Sequence, residues 1–77
     1  MIKAFGYEKG SENLLALEEI TIQCNIQELE DIIKFLKITK EEHEKAVDET
    51  EMCHSHFRDW CKKWTRKSSD IVIVTKR

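Results

Sequence analysis

Hydrophobic and polar positions divide the chain into an apolar-alternating start, one long helical stretch, and an alternating end. "MIKAFGY" alternates weakly and predicts a short strand, and "EKGSEN" after it is turn chemistry. "LLALEEITIQC" predicts a second strand, with Ile20-Thr21-Ile22 as its firmest part because β-branched residues favour pleated backbone. Two strands joined by a short turn form a hairpin. Asn25 then opens a helix: its side chain can cap the first turn, and Glu28 three residues on completes a capping box. Ile26, Leu29, Ile32, Ile33 and Leu36 recur at helical spacing and make one apolar stripe. Phe35 falls off that stripe and is expected at its edge.

Beyond Leu36 the pattern thins, leaving His43, Ala46 and Val47 on roughly the same side. A second capping box at Thr39 and Glu42 would allow a restart there. The favoured reading is one helix to Glu49, about 36 Å long, with a polar and loosely held distal half. "MCHSHFRDW" predicts a third strand, "CKKWTRKSS" a loop, and "DIVIVTK" a fourth strand. "IVIV" is apolar on both sides, which suits a strand covered on both faces. The expected fold is α+β in the order ββαββ: a four-stranded, mostly antiparallel sheet with one long helix on one face, in a single domain over residues 1–77.

Alternation decides what that sheet offers. Cys53, Ser55, Phe57 and Asp59 share one face of the third strand; Met52, His54, His56, Arg58 and Trp60 share the other. One helix covers one face, with Ile20, Ile22 and Phe57 as its natural partners. The face with His54, His56, Arg58 and Trp60 then stays open, together with one side of "IVIV". Uncovered apolar and aromatic surface of this extent marks an interface, and Trp, Tyr and Arg dominate binding energy at interfaces. A homodimer through the sheet, by face or edge, and binding of a partner protein follow as expectations.

Composition adds limits. A chain of 77 residues buries a small core, so a staple or partner is expected. Three cysteines form no secreted disulfide framework, and "MIKAFGYEKG" contains no signal-peptide core. The longest aliphatic run, "IVIV", is far short of a membrane span. The expectation is a cytoplasmic protein with reduced thiols, without membrane attachment. The net charge of −2 is unevenly spread: −2 over residues 1–25, −5 over 26–51 and +5 over 58–77. The acidic middle and basic end can attract each other within a chain or between chains.

The richest chemistry lies in "CHSHFRDWC", residues 53–61. His54 and His56 lie about 6.6 Å apart along one face, close enough to share a metal ion. A zinc site needs three or four protein ligands, and Cys53, Asp59 and Cys61 point the other way, so metal binding by His54 and His56 is an alternative rather than the main reading. Cys53 faces away from its neighbour His54, and no oxyanion-hole candidate accompanies either thiol. His-x-His also compares with the histidine-triad nucleotide hydrolases, but Arg58 stands where their nucleophilic third histidine belongs. No enzymatic activity and no cofactor are expected. "RDWCKKWTRK" mixes Arg58, Lys62, Lys63, Arg66 and Lys67 with Trp60 and Trp64, a combination that single-stranded nucleic-acid binders use. The acidic net charge and adjacent acidic helix argue against that alternative. In the more ordinary reading the tryptophans fold back onto the sheet.

"NIQELEDIIKFL", "CHSHFRDW" and "SDIVIV" together resemble a family of short bacterial proteins grouped with the immunity proteins of polymorphic toxin systems. The resemblance spans roughly residues 14–75 and its motifs are distinctive only as a set. It carries no catalytic residues. It implies a protein that neutralises a toxin by occluding it, with His54, His56, Arg58, Trp60 and Trp64 as candidate contacts for the toxin or for the dimer.

Overall fold

A computed structural model describes residues 1–46 and 52–76. Its elements are β1 (Ala4–Gly6), β2 (Leu15–Leu17), α1 (Ile26–Lys45), β3 (Met52–His56), α2 (Phe57–Trp60) and β4 (Val72–Lys76). The α+β class and the single long helix are as expected. The strands, however, form two separate two-stranded antiparallel sheets, β1–β2 and β3–β4, instead of one four-stranded sheet.

The hairpin pairs Ala4 with Leu17 and Gly6 with Leu15. Its turn is closed by the Ser11 amide donating to the Glu8 carbonyl at 3.0 Å, with Gly10 at φ +79°, where an L side chain would be strained. β1 supplies only three paired residues, so Ile20-Thr21-Ile22, expected as the strand's best part, lies outside any strand. Ile20 and Ile22 are exposed and do not sit under the helix.

Asn25 caps α1 as its sequence implies. Its Oδ1 accepts from the Glu28 amide at 2.8 Å, and the Glu28 carboxylate accepts from the Asn25 amide at 2.9 Å. The helix runs unbroken through Thr39 to Lys45, so no restart occurs there. At ~1.5 Å per residue it is about 30 Å long. The expected extension to Glu49 falls outside the described residues.

The helix does not bury the face its aliphatic stripe implied. Its buried residues are Phe35, Thr39 and His43, spaced four apart along one side. Of that stripe only Ile32 is half-buried; Ile26, Leu29, Ile33 and Leu36 stay 81, 45, 44 and 41% exposed. Leu36 lies 100° around the helix from Phe35, so turning one inward turns the other out. Rings decide the choice. Phe35 meets Phe57 edge-on at 5.3 Å and Trp60 at 6.0 Å, while Phe57 and Trp60 stand 5.9 Å apart. Three rings bury more apolar area per side chain than isolated aliphatics, and such ring pairs add their own attraction. The distal half is correspondingly well held rather than loose. His43 Nδ1 lies 2.8 Å from the Thr75 hydroxyl and its Nε2 lies 2.9 Å from the Ser55 hydroxyl, so one imidazole ties α1 to both β4 and β3.

Candidate functional site

The β3–β4 ladder sets the site. His54 pairs with Val74, His56 with Val72 and Met52 with Lys76, so these six side chains share one face. Cys53, Ser55, Ile73 and Thr75 share the other, against α1. The expected alternation therefore holds for residues 52–56. On the outer face Met52, Val72 and Val74 are 54, 46 and 52% exposed, and His54 is exposed as well. β4 is thus covered on one side only, not on both.

Arg58 and Trp60 do not continue that face. β3 stops at His56, and residues 57–60 form a single helical turn in which the Phe57 amide donates to the Ile71 carbonyl at 2.8 Å. The turn rotates Trp60 inward onto Phe35 and Phe57, so Trp60 belongs to the ring cluster. Trp64 is held by its Nε1–H donating to the Ser69 carbonyl at 2.9 Å. Lys63 approaches Asp31 of α1 at 3.9 Å, one local instance of the basic end meeting the acidic helix. One tryptophan of segment 58–67 thus packs in the ring cluster, and the other is tied by its indole N–H to its own loop.

Asp70 organises the end of this face, and no pattern in the chain singled it out. Its Oδ1 accepts from the Arg58 and Ile71 amides, both at 2.9 Å. Its Oδ2 accepts from His56 Nδ1 at 2.7 Å and lies 3.7 Å from Arg58 Nε. The side chain is 17% exposed. Burial pushes its pKa up, but the His56 hydrogen bond, the Arg58 amide, the His56 charge and the Ile71 amide outweigh burial, and the net result lies below the usual aspartate value. The one available clue was position: a carboxylate directly before an aliphatic strand can gather free amides at the strand's entrance.

His56 is therefore fixed by Asp70, with His54 beside it, ring centroids 5.7 Å apart and nearly perpendicular. A carboxylate holding Nδ1 also orients a general-base histidine. Here, however, the neighbouring hydroxyl, Ser55, faces the opposite side and is bonded to His43. For a metal ion, His54 and His56 supply two imidazoles; among the described residues no group of three or more His, Cys, Asp or Glu is placed to hold one.

Among the described residues β3 has one strand partner, β4. A cleft of about 300 Å³ runs between α1, β3 and α2. Phe35, Ile38 and Trp60 give it apolar walls, while Glu42, His54, His56 and Asp59 bring ionisable groups. His54 and His56 thus border both the open face and the cleft. No protein-family profile, curated protein or solved structure matches the chain. Among the described residues no helix is long and apolar enough to cross a membrane.

Proposed function

We propose that the chain is a non-catalytic protein-binding module that receives its partner on the outer β3–β4 face and the adjoining cleft. The observation that supports this most is the composition of that face: Met52, Val72 and Val74 stand about half exposed around an imidazole pair, one member of which is fixed by Asp70. Apolar side chains around a rigid polar centre are what a binding hot spot requires. In this reading Arg58 and the basic 58–67 segment form the rim, favouring an acidic partner surface. Trp60 contributes from beneath, as support for the cleft wall. The resemblance supplies the class of partner: a toxin whose activity is blocked by occlusion.

The test is to look for a toxin gene adjoining this chain's gene and to titrate its purified toxic domain by calorimetry. A 1:1 complex is expected, weakened at least 100-fold by Val74→Glu and at least tenfold by His54→Ala, both with unchanged circular dichroism. A complex indifferent to both substitutions would remove this face from consideration, and absence of any complex would overturn the toxin reading.

A further inference from the structure

The outward side of α1 carries a pattern that the partner face does not use. Ile26, Leu29, Ile33 and Leu36 follow a 3-4-3 spacing, the a and d positions of two consecutive heptads. All four are more than 40% exposed, whereas Ile32 beside them is half-buried. The same heptads place Glu30 and Lys37 seven residues apart, at equivalent positions on one flank of that seam. When two such helices pair antiparallel, equivalent flanks meet, so Glu30 of one copy faces Lys37 of the other. A parallel pair would lack this complementarity. Antiparallel pairing is also what a two-fold axis across the seam generates.

Surface area points the same way. The chain exposes 7347 Å², whereas a compact monomer of 9.2 kDa exposes about 4,900 Å². The surplus of about 2,400 Å² is well above the ~800 Å² per partner of a standard stable interface. The radius of gyration, 13.5 Å, likewise exceeds the ~11.5 Å of a compact chain of this length. Ile20 and Ile22, 58 and 50% exposed, precede the helix N-terminus in the chain and add to its exposed aliphatic surface.

From these observations we infer that a second copy of this chain docks on the Ile26–Leu29–Ile33–Leu36 seam, its α1 running antiparallel. This places self-association on the helix rather than on the sheet and leaves the partner face free.

Sedimentation equilibrium of the full chain at about 50 μM should show a species of twice the monomer mass. Ile33→Glu should convert it to monomer with helicity retained. Lys37→Glu should weaken the dimer about tenfold, and adding Glu30→Lys to it should restore most of the loss. The swap also decides the matter if Ile33→Glu does not fold. A wild-type monomer at this concentration overturns the inference, as does a dimer that survives Ile33→Glu or shows no effect of the swap. Val74→Glu should leave the dimer intact while abolishing partner binding, so the failure of one surface is separable from the failure of the other.

Discussion

Removing Asp70 tests whether the end of the β3–β4 face is organised as described. Asp70→Ala deletes two acceptor bonds to amides, at 2.9 Å each, and the 2.7 Å bond from His56. At a net value of about 1 kcal/mol for each amide bond and somewhat more for the His56 link, the loss is about 3 kcal/mol. For a domain of this length, whose total stability is of order 4–12 kcal/mol, that is a large fraction. Asp70→Asn is the finer probe. Its amide keeps one oxygen for the two backbone donors but presents NH₂ to His56, so about 1–2 kcal/mol should go. Urea unfolding at fixed protein concentration, followed by far-ultraviolet circular dichroism, measures both. The pH dependence carries a sign. Asp70's pKa is depressed in the folded state. Its contribution is therefore fully present above the unfolded aspartate range near 4 and is lost as pH falls through the lower folded value. The gap between wild type and Asp70→Asn should narrow on acidification from pH 7 toward 3. An Asp70→Ala protein within about 0.5 kcal/mol of wild type, or a gap that stays constant with pH, would refute the reasoning.

Two further substitutions examine the core and the cap. Trp60→Ala removes one of three mutually packed rings and should lower stability by about 3 kcal/mol, with loss of near-ultraviolet dichroism; full stability with weakened partner binding would return Trp60 to the surface. Asn25→Ala removes the side-chain arm of the capping box, leaving the amide of residue 25 still able to donate to Glu28, and should cost about 1 kcal/mol in the same urea assay, while Asn25→Ser should cost little.

How much was legible in the chain depended on whether a feature is local. The Asn25–Glu28 cap is complete within four residues, and it formed as its sequence implies. The alternation of residues 52–56 is also a short-range property, and it correctly separated His54 and His56 from Cys53 and Ser55. The buried face of α1 was not legible by hydrophobic period, because two of its three residues, Thr39 and His43, are polar. His43 is held inward by hydrogen bonds to Ser55 and Thr75, on strands that lie far along the chain. The spacing of four linking Phe35, Thr39 and His43 was present but carried no hydrophobic signal. Likewise the helical turn at residues 57–60 depends on the Ile71 carbonyl and the Asp70 carboxylate, both more than ten residues away. Nothing within "FRDW" prefers a turn to two more strand residues.

The mismatch on α1 carries the main physical consequence. A helix that leaves four of its Ile and Leu residues outward and turns a histidine inward has left hydrophobic stabilisation unrealised. Full burial of one such side chain is worth about 1.5–3 kcal/mol. Four of them left roughly half exposed therefore forgo something like 4 kcal/mol. That is as large as the lower range of stability for the whole domain. Rotating α1 by 100° would recover part of it, but only by pulling Phe35 from its two ring neighbours and breaking the bonds of His43 to Ser55 and Thr75. A second surface against the seam recovers the same energy without either loss. The intramolecular contacts and an intermolecular one thus favour the same helix rotation, and this consistency gives the exposed heptads their meaning.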